Sequence, residues 1–217
     1  ILTLITIILT NERSASIMFL SATLIFFIFY KFNFFYKFVL FGLAIVSIVI
    51  LFNLNNNLKS HFIYTPLKFF KDNHHKAHFL TSYEIFKDNK VIGSGIKTFR
   101  DVCGNDKYNK IKTKYANNRC ATHPHNIYLE ILSETGLLGF LVLVSINFYI
   151  LFFLIYNFFK KNNLNNEILL LFSNFFILFW PLQTTGAFFS TWNGIFYWIF
   201  FAYFFYFKRI NNSIYTI

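Results

Sequence analysis

HPHNIYLEILSETGLLGF, residues 123–140, passes from a polar, histidine-bearing entry into a long apolar run. Pro124 disfavours the α conformation at His123 and suits the first position of a helix. No further proline interrupts the chain before Lys160. A helix starting here holds His125 in its first turn, or at its edge if Asn126 is the cap. That end carries unpaired backbone N–H groups and the positive end of the helix dipole, which suit an anion such as phosphate. The same field pushes a histidine toward its neutral form, the form a general base needs. Glu130 and Glu134 lie one turn apart on one face, and Gly136 and Gly139 flatten another so that a neighbouring helix can approach. The plainer reading is a helix entering a membrane, with His123 and His125 as interfacial polar groups.

The chain around this stretch is apolar. Of its 217 residues 56% are hydrophobic and 23% aromatic, with 34 Phe, while only 13% are charged. Soluble domains carry about 25% charged residues. Apolar runs of about 20 residues recur, so the expected class is all-α: a polytopic transmembrane helical bundle with one large loop. Residues 1–52 should hold the first membrane helices: the end of one, then Ser14 to Tyr30, then Phe38 to Phe52. Residues 53–126 form the loop, with the histidine motif at its end. Residues 127–217 hold the C-terminal spans: Ile127 to Phe159, Ile168 to about Phe189 with a break near Trp180-Pro181, and Ile195 to Phe207. At about 1.5 Å per residue the first of these exceeds a hydrocarbon core of about 30 Å. Its Glu130 and Glu134 turns should then stand outside the lipid or in a polar cavity. The opening ILTLITIILT reads as the tail of a membrane helix with no basic leader or cleavage site, so the chain is expected to be the C-terminal part of a longer protein.

The net charge of +11 is unevenly spread. Thirteen of the twenty Lys and Arg residues, from Lys59 through Lys68 and Lys71 to Arg119, fall in the loop, as do all six histidines. Such a loop favours anionic partners: phosphate-bearing lipids, lipid head groups or acidic glycans. The bland alternative is a Lys- and Asn-rich compositional bias, and no nucleic-acid motif is present. Lys31, Lys37, Lys160, Lys161, Lys208 and Arg209 share one side if the spans alternate, and the positive-inside rule makes that side cytoplasmic. The loop then lies outside; long loops escape the rule. Both cysteines, Cys103 and Cys120, fall in it, and in an oxidising compartment they are expected to pair, the rival being two free thiols. Within the loop, short helices with irregular connections are expected, with a turn at Gly93-Ser94-Gly95.

His125-Asn126, nine residues, then Gly136-Leu137-Leu138-Gly139 resembles the signature of the O-antigen ligase and O-antigen polymerase superfamily. Phe140 stands where the ligase pattern has Gly, Thr or Tyr. TNERSA, residues 10–15, resembles the T-x-x-R-S/G-A segment upstream of that histidine, and VIGSGIKTFRDVC, residues 91–103, resembles its G-x-G-x-x-x-F stretch. PLQTTGAFFSTWNGIFYW, residues 181–198, looks like the family's closing segment. The resemblance implies a glycosyltransferase-C-like membrane fold with a periplasmic loop in the bacterial inner membrane. It implies metal-independent transfer of a glycan from undecaprenyl diphosphate to lipid A-core, with polymerase extension of carrier-linked glycan as the alternative. His125 is then the catalytic base, and Arg13 and Arg100 the groups handling the diphosphate. Arg119 is the rival of Arg100, and Arg13 also reads as a simple interface anchor. Asn126, Glu130, Arg119, Gly136 and Gly139 are the candidates for binding substrate.

No metal or cofactor is expected. His74, His75 and His78 form HHxxH, in which His74 and His78 could share a helix face, but no acidic third ligand follows at helical spacing. Gly93-Ser94-Gly95 is neither a nucleotide fingerprint nor a serine-hydrolase elbow. A transporter would carry charged groups inside its spans. Residues 14–30, 38–52 and 168–207 contain no Asp, Glu, Lys, Arg or His, which argues against one. A non-catalytic scaffold is the remaining alternative.

Overall fold

The structure, a computed structural model, describes residues 2–31, 33–64, 73–160, 166–181, 184 and 186–213. Lys68, Lys71, the expected basic closure Lys161–Asn163, and Leu182, Gln183 and Thr185 of the closing segment lie outside these. Among the described residues every regular element is helical: α1 (Leu2–Leu9), α2 (Arg13–Phe29), α3 (Phe34–Leu54), α4 (Asn56–Lys59), a π-helical turn Ser60–Tyr64, α5 (His74–Asp88), α6 (Phe99–Val102), α7 (Ile127–Lys160), α8 (Asn166–Phe179) and α9 (Thr191–Ser213), with short 3-10 turns at Asp106–Lys110 and Ala116–Asn118. Phe34–Leu54 and Ile127–Phe159 are long and apolar enough to cross a membrane. Arg13–Phe29 and Asn166–Phe179 are apolar but shorter. At 17 and 14 residues they reach only about 25 and 21 Å.

The asparagines of the polar segments do specific local work. Asn33 Oδ1 accepts from the Phe35 amide at 3.0 Å and starts α3. Asn55 ends α3 and caps α4, accepting from Asn57 and Leu58. Asn73 Oδ1 accepts from the Lys76 amide at 2.8 Å and starts α5. Short amide side chains compete for backbone donors, which makes them poor inside helices and good at their ends.

The chain divides into two compact units, Ile1–Lys71 with Ile155–Ile177, and Asp72–Leu154 with Leu178–Ile217. In the first, Leu4, Ile8 and Leu58 are buried, with Phe19, Ala44, Ile48, Leu51, Phe52 and Phe62 packed on them. In the second, Ile85, Phe99, Cys103 and Tyr108 form the centre of the loop region, with Val102 and Ala121 against them. Cys103 and Cys120 are joined as a disulfide with Cα atoms 5.3 Å apart. The Tyr108 hydroxyl donates to Asp88 Oδ2 at 2.9 Å, and Lys107 pairs with the same carboxylate at 2.7 Å. Phe179, at the end of α8, packs against Tyr197, Phe200 and Phe201 of α9. Trp180-Pro181 ends α8, because the residue before a proline leaves the α region.

The continuous helix expected over 127–159 is interrupted. Gly136 has φ 66° and ψ −162°, so α7 is two helical pieces meeting at a kink. The loop segment Lys90–Gly95 enters that break. Ser94 and Gly95 amides donate to the Ser133 and Glu134 carbonyls, each at 2.9 Å. The Leu137 and Leu138 amides donate to the Lys90 and Val91 carbonyls at 2.8 and 3.2 Å. In an unbroken helix Leu137 and Leu138 would donate to Ser133 and Glu134 themselves. Two helical hydrogen bonds are thus replaced by four to the loop, each worth about 0.5–1.5 kcal/mol net. Gly93 has φ 72°, and a Cβ there would collide with the Glu134 and Thr135 backbone. A Cβ on Gly136 would collide with the Val91 carbonyl and the Gly93 amide. The flattened face at Gly136 therefore receives a loop, where a helix was expected.

Gly93→Ala and Gly136→Ala should each destabilise the protein by more than about 1 kcal/mol through positive φ and collision. Gly42→Ala, in a helix with nothing near its added Cβ, should be neutral or stabilising by up to about 1 kcal/mol. Thermal unfolding in detergent separates these outcomes; a Gly136→Ala protein as stable as Gly42→Ala would contradict the docked break. Reducing the Cys103–Cys120 bond, which closes a separation of 17 residues, should cost about 3 kcal/mol. A loop peptide whose mass does not change on reduction would show that the bond is not formed.

Candidate functional site

Asn126 decides where α7 begins. Its Oδ1 accepts from the Tyr128 and Leu129 amides at 3.1 and 3.2 Å, and its backbone carbonyl accepts from the Glu130 amide. Such a cap is worth about 1 kcal/mol. Its Nδ2 donates to the Pro181 carbonyl at 2.8 Å, which ties the helix start to the end of α8. The cap occupies amides that the sequence suggested for an anion. Of the two starts open in the sequence, the structure has the Asn126 cap, and Pro124 and His125 both precede the helix. His125 has φ 61°, in the left-handed region that non-glycine residues rarely adopt. Strain of that kind is held by surrounding structure and concentrates at functional sites.

Four imidazoles gather at this point. The His123 ring lies 4.2 Å from that of His125, and the His75 and His78 rings lie 5.1 and 5.2 Å from it. His75 and His78 come from α5, which starts at His74 and so puts these two three residues apart on one face. His74, the expected partner of His78, instead lies against Tyr115, with ring centroids 4.4 Å apart. The His123 Nδ1 shares a hydrogen bond of 2.9 Å with the Thr122 hydroxyl. Burial is the main cause that pushes His125 down to about 4, with the neighbouring His123, His75 and His78 adding to it. Burial and then His75 also lower His78. Both rings are therefore held neutral, the form with a lone pair to accept a proton or bind a cation.

The other expected site residues fall into several places. Glu130 is 1% exposed, and its carboxylate accepts from the Phe188 and Phe189 amides at 2.9 and 3.5 Å. Glu134 is 2% exposed and accepts from the Lys97 and Phe99 amides at 2.7 and 3.1 Å, capping α6 from across the fold. Both carboxylates are buried against the backbone of segments distant in sequence. The Arg119 Nε and Nη2 donate to the Cys103 and Gly104 carbonyls at 2.9 and 3.0 Å, bracing the disulfide segment. Arg100 is exposed on α6. A Cβ on Gly139 would meet the Thr135 side chain, which folds back over it. Arg13 is the first residue of α2 in the first unit, where the Glu12 side chain makes no capping bond. The convergence of His75 and His78 on His125 went unseen in the sequence. Their i, i+3 spacing was the visible half of the signal, and the third member lies on a separate segment.

A family model described as O-antigen ligase matches residues 1–144, about two thirds of the chain. That family comprises membrane glycosyltransferase-like enzymes of lipopolysaccharide biosynthesis. The chain belongs to the O-antigen ligase family. The match contains Arg13, Arg100, Arg119, His125, Gly136 and Gly139, and it ends before the closing segment at residues 181–198. No curated protein and no solved structure matches the chain.

The His125 imidazole should titrate near 4 by ring-proton NMR, assigned by its loss in His125→Ala. A midpoint near 6.5 would contradict the burial described. Above about 6.5 the ring is neutral folded or unfolded, and no cost arises. As pH falls from there toward about 4, the unfolded chain takes up a proton that the folded site resists, and the folded state weakens.

Proposed function

We propose that this chain is an O-antigen ligase-like glycosyltransferase of the bacterial inner membrane, with residues 53–126 on the periplasmic side. It transfers a glycan from undecaprenyl diphosphate to lipid A-core. The observation that carries the reading is the setting of His125 in a chain of this family: a neutral histidine, half-buried, held in a strained backbone directly before the Asn126-capped helix. The unequal spread of short-loop lysines and a disulfide in the long loop support the orientation.

In this reading His125 accepts the proton of an acceptor sugar hydroxyl as its oxygen attacks the anomeric carbon. The bond from that carbon to the diphosphate oxygen breaks, and the lipid diphosphate leaves with the electron pair. Arg13 and Arg100 offset the charge that develops on the diphosphate, since guanidinium groups match phosphate oxygens in paired hydrogen bonds. The proton on His125 is then released to water. The step needs no metal or nucleotide because the donor is already activated. Asn126, Glu130 and Arg119 act as positioning residues through the hydrogen bonds described above, and Gly136 through the loop docked at its break. The absence of Asp, Glu, Lys, Arg and His from residues 14–30, 38–52 and 168–207 counts against the transporter alternative.

The test is transfer by full-length protein supplied with carrier-linked glycan and either lipid A-core or a second carrier-linked glycan, in chelator. His125→Ala should lower the rate at least about a hundredfold at normal protein level, as expected for loss of a general base. Product on lipid A-core supports the ligase. Lengthened carrier-linked glycan instead makes the protein a polymerase. Equal rates for wild type and His125→Ala would overturn the mechanism.

A further inference from the structure

The transfer chemistry uses one of the clustered histidines and gives no work to the two that α5 brings against it. His75, His78 and His125 each offer a ring nitrogen, and these atoms all lie within 4.8 Å of one another. His78 is 7% exposed, and its Nδ1 is buried with no hydrogen-bond partner among the described residues. The Asn118 backbone hydrogen-bonds the same ring, so it is the other nitrogen that is fixed there. One ring nitrogen held by backbone and the other left with an unused lone pair is how a protein orients a metal-binding histidine. The group contains no carboxylate. Three imidazoles without oxygen donors disfavour magnesium and calcium and suit zinc, copper or nickel.

We propose that His75, His78 and His125 form a binding site for a zinc-class divalent cation, with three imidazole ligands and a fourth position open to water. Zinc–nitrogen bonds of about 2.0–2.1 Å would bring the donor atoms to about 3.4 Å from one another, so the side chains close on the ion by rotation. The bound ion occupies the lone pair of His125. Filling the site therefore blocks proton removal and inhibits transfer. That consequence rests on the reading of His125 as the base; the site itself does not. The i, i+3 pair on α5 and the third ligand from before α7 also make the ion a clamp between these two segments of one unit.

The direct test is cobalt titration of purified, chelator-stripped full-length protein in detergent. The expected result is visible d–d absorption saturating at one equivalent and bleached by zinc. His75→Ala and His78→Gln should each weaken binding at least about a hundredfold, beyond the loss caused by removing a supporting residue. His74 packs against Tyr115 instead, so His74→Ala should bind as wild type does. Circular dichroism shows whether each variant is folded, and His75, the less buried of the pair, keeps the test valid if His78→Gln is not. Absence of the bands in wild type, or wild-type affinity in folded His75→Ala, overturns the site. Zinc at concentrations that fill the site should stop transfer, and transfer at full rate with the site filled overturns the inhibition. Transfer that never depends on His125 counts against the base while leaving the cobalt result to decide the site.

Discussion

The second unit depends on an exchange of backbone hydrogen bonds at Gly136. The helix gives up the two bonds that Leu137 and Leu138 would make to Ser133 and Glu134, and the loop segment Lys90–Gly95 supplies all four missing partners. A chain break in a membrane-length helix is tolerable only where its backbone groups are satisfied by protein. Here the satisfaction is complete for these four groups and nearly exact in register. The exchange needs glycine on both sides of the contact, because a side chain at Gly93 or Gly136 would meet the opposite backbone. Glu134, beside the break, extends the docking by accepting from Lys97 and Phe99, so the loop is held by main chain and side chain together.

From that junction the site follows. The loop fixed at Gly93 leads on one side back through Asn89 to α5, and on the other to α6 and the disulfide. The Ser82 hydroxyl of α5 donates to the Leu129 carbonyl at 2.7 Å, so α5 is pinned to the first turn of α7 as well as to its break. Two points of attachment set the position of His75 and His78 against His125. The start of α7 is fixed from its other end by Asn126 on Pro181, Tyr128 on Phe179, and Glu130 on Phe188 and Phe189. His125 takes a left-handed backbone between these constraints. Function is thereby linked to a buried polar network whose members lie far apart in sequence.

The family was legible because His125-Asn126 and Gly136-Gly139 stand at a fixed spacing, and the helices were legible because their apolar runs are long. Asn126 as a cap was one of two readings, decided by the side chain's reach to two amides. The break was hidden: two glycines in an apolar run look the same whether a helix or a loop approaches them. The buried glutamates were hidden for a related reason. Sequence shows a carboxylate near an apolar run but not the distant backbone that will donate to it, so Glu130 and Glu134 could be placed only outside the lipid or in a polar cavity. HHxxH drew attention to His74 and His78, whereas the helix register and a third histidine from another segment select His75 and His78. Spacing within one element can be read from a sequence; a partner brought by tertiary packing cannot.

Amide hydrogen exchange on the full-length protein in detergent, read at Ser94, Gly95, Leu137 and Leu138, tests the docked break most directly. All four amides should be protected to the level of the interior of α5 and should lose protection together. Exchange of Ser94 and Gly95 at the rate of an exposed loop, with Leu137 and Leu138 protected as in an unbroken helix, would contradict it.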